Sequence, residues 1–215
     1  PFAPSAQERE LLEEAVQVGV AYERADMGKP RNPEVYFYEG KQWFTPFGGG
    51  SYEWLIDGGK GGRNLDARNN FFWGYTVNTP AMVLKMEGVG SQYGVVATDS
   101  TGAYLDGSKT YKFTVEADVP AKDFWSMVVY DPQTRSELQT DQLLPSKNSK
   151  RNQDMVVNAD GTTDLYFGPS APKGMEANWI QTVPGKGWFA VFRLYGPLQP
   201  WFDKTWQLND IEQVK

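Results

Sequence analysis

Two residue types are missing from this chain, and each absence removes a class of chemistry. With no cysteine there are no disulfides, no thiol nucleophile, no zinc-thiolate site and no iron–sulfur cluster. A cysteine-free chain suits an oxidising compartment without requiring one. With no histidine, the Ser-His-Asp and Cys-His arrangements and every histidine-ligated metal site within the chain are excluded. Acid–base work would fall to carboxylates, lysine or tyrosine. Positive charge is also scarce. Lys and Arg number 21 against 27 Asp and Glu, a net charge of −6 with no basic patch, which argues against nucleic acid and anionic membrane surfaces as partners. No window approaches the roughly 18 apolar residues of a membrane span. Internal repeats and low-complexity tracts are lacking too. No metal or cofactor is expected.

What the chain does have is a core. Of its 215 residues 40% are hydrophobic and 14% aromatic, including 8 Trp. That is too much apolar surface for a disordered chain. The densest stretch is residues 187–197, GWFAVFRLYGP, which reads as a central strand buried on both faces. A similar run, residues 124–130, reads as a second central strand. Residues 111–117 alternate cleanly, with Tyr111, Phe113, Val115 and Ala117 on one face and Lys112, Thr114 and Glu116 on the other, as in a half-buried strand. Residues 155–157 and 164–167 read as a hairpin around Asn158-Ala-Asp-Gly161. Residues 134–152 form a polar excursion.

The first part of the chain differs. Ser5 followed by Glu8 fits a capping box, and Leu11, Ala15, Val18 and Tyr22 make one stripe of a helix from about residue 6 to 26. Two short strands at 35–38 and 42–45 flank Glu39-Gly40-Lys41 as a hairpin. The Gly-rich runs at 48–51 and 57–62 do not fit a phosphate-binding loop and read as linkers or a mobile lid. Residues 66–85 are helical in part, broken by Pro80. The division expected is a helical segment with hairpin and Gly-rich loops over residues 1–90, packed on a jelly-roll-like antiparallel β-sandwich over residues 91–215. The start at Pro1 suggests a processed product or one domain of a longer protein.

Several segments then carry a resemblance. They are Leu105-Asp-Gly-Ser108 with Tyr111, Pro120 followed by Phe124-Trp-Ser126 and Tyr130-Asp131, Asp160-Gly161, Asn178-Trp179, Arg193-Leu-Tyr195 with Pro197, and Thr205-Trp206. In this order they resemble the bacterial domain-of-unknown-function family DUF1214. Where that family often continues Asn-Trp with Leu-Pro, this chain has Ile180-Gln181 and a proline at Pro184. The resemblance implies a jelly-roll sandwich, commonly the C-terminal half of a larger two-part exported protein, with no established activity. A periplasmic or secreted location is the expectation it carries, with a cytoplasmic one left open, and an upstream domain of the same protein is the implied partner. Jelly rolls host lectins and enzymes alike, so the fold does not settle function.

Four constellations could carry chemistry. Arg193 is the only charge in its run. As a strand, Trp188, Ala190, Phe192 and Leu194 face one way and Phe189, Val191, Arg193 and Tyr195 the other. A buried guanidinium needs a carboxylate or several carbonyls. It is either paired structurally with Asp131 or Glu116, or lines a cleft and binds a carboxylate, sulfate or sugar hydroxyl. Trp179 beside Asn178, with Trp188 and Trp201, could stack on a carbohydrate ring. Asp99, Asp131, Asp160 and Asp164 could supply paired carboxylates for glycoside hydrolysis, although a turn already accounts for each. Residues 158–164 share part of a calcium-loop pattern, which hairpin chemistry explains equally. The ligand-binding candidates are Arg193, Tyr195, Trp179, Asn178 and Asp131. Three functions stay open: a binding module for carbohydrate or another small polar ligand, a histidine-free hydrolase using carboxylates and Arg193, and a structural domain docking a partner.

Overall fold

The computed structural model describes residues 3–75 and 77–214. Its centre is a β-sandwich of two four-stranded sheets. The strands in chain order are β1 (Ser91–Val96), β2 (Tyr111–Val115), β3 (Ala121–Tyr130), β4 (Ser146–Asn148), β5 (Thr163–Gly168), β6 (Trp179–Gln181), β7 (Phe189–Pro197) and β8 (Glu212–Gln213). The first sheet has the order β1-β7-β3-β4 and the second β6-β5-β2-β8. The chain crosses between sheets from β1 to β2 and back to β3, so β7 returns into the gap between β1 and β3 as a central strand. That is the jelly-roll-like feature of the fold. The sandwich is not antiparallel throughout: β5 and β6 pair in parallel. A parallel neighbour needs a crossover, supplied by residues 169–178 with a 3-10 turn at Glu176–Asn178.

Both sheets turn their apolar faces into one core. Ala190, Phe192 and Leu194 of β7 and Met127 and Val129 of β3 meet Tyr111, Phe113, Leu165, Phe167 and Ile180 of the second sheet, all essentially sealed from solvent. Aromatic contacts join the layers: Phe192 lies 5.9 Å from Phe113 edge-on, and Trp188 lies 4.8 Å from Phe167. The outer face of β7 behaves differently. Phe189 is buried, but Val191, Arg193 and Tyr195 are only partly covered. The strand is therefore buried fully on one face and half-covered on the other, not sealed on both. The half-cover comes from the N-terminal segment, whose aromatics bury part of that face and leave the rest open.

That segment begins with α1 (Ala6–Gly28), and its capping box is present: the Ser5 hydroxyl accepts from the Glu8 amide and the Glu8 carboxylate accepts from the Ser5 amide. No residue of α1 is buried; Leu11 and Val18 are 60% and 64% exposed. Its C-terminal part turns inward, with Val20 and Glu23 partly covered and Met27 packed on a small cluster of Val35, Phe44, Val95, Ala97 and Phe189. The hairpin expected at 35–45 forms as a narrow crossing rather than as two strands. Tyr36 and Phe44 make a single bridge, and Phe44 pairs on its other side with Val95 of β1. Next to it Trp43, fully buried, closes the sandwich edge against Phe113 and donates its indole N–H to the Asn209 carbonyl. Gly94 of β1 makes room: a Cβ there would stand 3.0 Å from Leu208 and 3.2 Å from Trp43. Then come α2 (Leu65–Gly74) and α3 (Pro80–Val83), with Pro80 starting the second helix after the break. A fourth helical turn, α4 (Gln199–Phe202), follows β7.

The hairpin expected around residues 158–161 is half present. The turn closes, with the Asn158 amide donating to Thr162, but residues 155–157 form no strand. Their place is taken by a side chain. The Asn178 amide oxygen accepts from the Val156 N–H, and its nitrogen donates to the Val156 and Asp164 carbonyls. Asn178 is 1% exposed, so one amide does here what a strand ladder would do.

Two substitutions test this architecture. Phe192→Ala removes the ring that joins the two sheets and is expected to cost about 3–5 kcal/mol, read as a lowered midpoint in chemical denaturation. Asn178→Ala leaves three backbone groups, two on Val156 and one on Asp164, without this partner and is expected to cost about 1–3 kcal/mol. A variant within experimental error of the parent would contradict the assigned role.

Candidate ligand-binding cleft

The half-covered outer face of the first sheet is the floor of a cleft with a volume of about 510 Å³. Register places its side chains in rows across three strands, because residues opposite one another in an antiparallel pair share a face. Tyr93, Arg193 and Ser126 form one row, and Val95, Val191 and Val128 the next. Tyr130 and Phe189 form the third, their rings stacked at 5.1 Å. The roof comes from the N-terminal segment: Met27 of α1, Phe47, Phe71 of α2, Tyr75 and Met82 of α3. Phe47 joins roof to floor, with Phe71 stacked on it at 5.3 Å and Tyr93 edge-on at 5.8 Å.

Arg193 is the distinctive group on the floor. Its guanidinium lies 4.9 Å from the Tyr93 ring and 4.2 Å from the Tyr195 ring, a cation between two aromatic faces. One Nη donates to the Ser91 hydroxyl at 3.0 Å. Its Nε is buried with no hydrogen-bond partner among the described residues, and Arg193 joins none of the ion pairs among them. The structural pairing with Asp131 or Glu116 is therefore not what forms. Asp131 pairs instead with Lys186 at 2.9 Å, and Glu116 accepts from the Asn209 amide at 2.6 Å. The reason is the pleat: Arg193 projects from the outer face of β7, whereas Asp131 turns back to cap the bend after β3.

Two tyrosines of the floor, Tyr130 and Tyr93, are held neutral. Burial pushes the Tyr130 hydroxyl up to about 12, with Glu137 adding to the rise. Burial also raises Tyr93, with Arg193 opposing it. Glu137 and Arg135 line the far end of the cleft. Arg135 packs on the Trp73 ring at 4.4 Å and donates to the Gln133 carbonyl. A neighbouring hollow of about 320 Å³ shares Phe44, Pro46 and Asn70 with this cleft. There Asp26 accepts from both Arg31 and Asn70.

Of the residues singled out from sequence, the structure brings Arg193 and Tyr195 together in the cleft and places the others elsewhere. Asn178 is the buried clamp of the second sheet. Trp179 sits on β6 and donates its indole N–H to the Gly168 carbonyl. Trp188 and Trp201 are core residues, 2% and 4% exposed. Asp99 accepts from Thr101 and Ala103, Asp160 from Thr162, and Asp164 from Thr114, so each holds local structure. Tyr93, Ser126 and Tyr130 were missed. Alternation along β7 identifies Val191 and Phe189 as companions of Arg193, but only strand register brings in the flanking residues, and no periodic signal marks Phe47, Phe71 or Tyr75 as a roof.

Asp131 has a pH consequence. Burial raises its carboxyl, but hydrogen bonds from Lys186 and from the Gln133 and Thr134 amides outweigh that and hold it below its ordinary 3.8. A carboxyl lowered in the folded state contributes stability that is complete above its unfolded value and is lost as pH falls through the folded value. Acid denaturation below pH 3.8 is thus expected to be shallower in Asp131→Asn than in the parent, at the cost of lower stability at neutral pH. Parallel acid limbs for the two proteins would contradict this.

Comparison with known proteins supports the fold reading. No curated protein matches the chain. Among solved structures, a Vibrio parahaemolyticus protein matches the whole of this chain at 19% identity with a TM-score of 0.54, and the chain spans 47% of that protein's length. An uncharacterised Burkholderia cenocepacia protein matches at 15% identity and a TM-score of 0.40, with all of this chain aligned to 44% of that one. At 19% identity the first likeness speaks to fold alone. The family model described as "protein of unknown function (DUF1214)" matches residues 90–199, the stretch from the start of β1 into α4 that contains both central strands and the floor of the cleft. By that match over half its length, the chain belongs to the DUF1214 family.

Proposed function

We propose that this protein is a binding module for a small organic ligand, held in the cleft with an anionic group against Arg193. The observation that carries the reading is the guanidinium itself. It is a partly buried cation on the floor of a cleft, flanked by two tyrosine rings, with no carboxylate neutralising it among the described residues. A desolvated charge without a counter-charge is costly, and an anionic ligand removes that cost. Concave, largely apolar sites with a few polar groups are the usual form of small-molecule sites.

Carbohydrate, the other ligand class the sequence suggests, draws less support, because Trp188 and Trp201 are in the core and Trp179 is on the other sheet. Hydrolysis by paired carboxylates draws less still. Among the described residues lining the cleft, Glu137 is the one carboxylate, and that mechanism needs two.

The test is thermal stabilisation by a panel of small carboxylates, their neutral amides and common mono- and disaccharides. A carboxylate at a hundredfold excess over its Kd should stabilise the protein by about 2.7 kcal/mol. Arg193→Leu should leave the circular dichroism spectrum unchanged and weaken carboxylate binding about 10- to 100-fold. If no carboxylate stabilises the protein, or if Arg193→Leu binds as well as the parent, the reading fails.

A further inference from the structure

We infer that the ligand is an amphipathic monocarboxylate with an unbranched or slender apolar body of about 8–10 carbons. This rests on the reading of Arg193 as an anion anchor and specifies what extends from it.

The cleft floor has a polarity gradient. Polar groups gather at the anchor: Tyr93, Arg193 and Ser126 in its own row, and Ser91 with Tyr195 in the row beside it. The next row is valine in all three strands: Val95, Val191 and Val128. The third row is the stacked pair of Tyr130 and Phe189. From Arg193 to Phe189 is four residues of strand, about 13 Å, and an extended chain of about 8–10 carbons covers most of that span. A ligand polar along its length, such as an oligosaccharide, would lay hydroxyls on the valine row with nothing to bond them.

Charge fixes the direction. The two arginines lining the cleft are not equivalent. Arg135 shares its end with Glu137, stacks on Trp73 and already donates to a carbonyl, so that end carries little net charge. Arg193 has no acidic neighbour among the cleft-lining residues of its own row. The carboxylate therefore belongs at Arg193 and the apolar tail at Tyr130 and Phe189. The guanidinium lies near both tyrosine rings and spends one Nη on Ser91, and its remaining N–H donors suit a planar carboxylate. One unopposed cation calls for one negative charge. The roof suits a slender tail of variable shape, since Met27 and Met82 sit among its rings and methionine adapts to irregular apolar partners.

The experiment is calorimetric titration with n-alkanoates from acetate to dodecanoate, each below its micelle-forming concentration, with 1-octanol as the neutral control. Each methylene should tighten binding about 4-fold, rising to a plateau at about 8–10 carbons, and octanol should bind at least 10-fold more weakly than octanoate. Val191→Thr, nearly isosteric, places a hydroxyl in the middle row. It should weaken decanoate binding severalfold while leaving short carboxylates such as butyrate unaffected. If carboxylates bind through Arg193 with no dependence on length, or if Val191→Thr leaves decanoate binding unchanged, the amphipathic ligand is overturned and the anion anchor stands. If no carboxylate binds the parent protein at all, the anchor falls as well.

Discussion

The pairing of β7 between β1 and β3 governs both faces of this molecule at once. In that register Ala190, Phe192 and Leu194 enter the core between the sheets, and Phe189, Val191, Arg193 and Tyr195 line the outer face. Strand side chains have a period of two, so a slip by one residue would exchange the sets. It would drive a guanidinium into an aromatic core and expose Phe192 to water. The cost of burying an unpaired charge is larger than that of losing a few ladder hydrogen bonds. Arg193 thus helps specify the register that places it in the cleft. Fold and candidate site are two consequences of one alternation.

The cleft exists because the N-terminal segment covers that outer face incompletely. Phe44 bridges to β1 and closes one side, while Phe47 and Phe71 stand over the floor. Side chains on this face pack against cross-strand neighbours, with Tyr195 stacked on Phe124 at 3.9 Å beside the guanidinium. A site built on strands in this way is already formed before any ligand arrives, which lowers the ordering cost of binding.

The sandwich was legible because its signals are local. A period-two pattern marks β2, near-continuous apolar runs mark β3 and β7, and Ser5 with Glu8 marks the start of α1. Signals that depend on partners were not legible. The stripe on α1 specifies a helix face but not what meets it, and that face stays exposed. Residues 155–157 look like half a hairpin, yet they form no strand, and a single amide from Asn178 joins them to β5 in place of a ladder. The parallel pairing of β5 with β6 left no mark, because β6 is only three residues long. Within the cleft, alternation alone gave the outward set on β7. The neighbours Tyr93 and Ser126 are set by register, and the roof by tertiary packing, neither of which has a sequence period. Asp131 illustrates the converse error: it follows a central strand and resembles a natural counter-ion for Arg193, but Lys186, just before β7, pairs with it instead.

The central claim is that the Arg193 charge faces the cleft and is available to an anion. It is tested most directly by side-chain nuclear magnetic resonance of the arginine Nε–H groups, with the Arg193 signal identified by its loss in Arg193→Lys. On titration with benzoate, the account predicts a saturable shift of the Arg193 resonance while the other arginine signals stay in place. An Arg193 signal that does not move, and that shows contacts to an aspartate or glutamate side chain, would mean a sealed ion pair and would contradict the account.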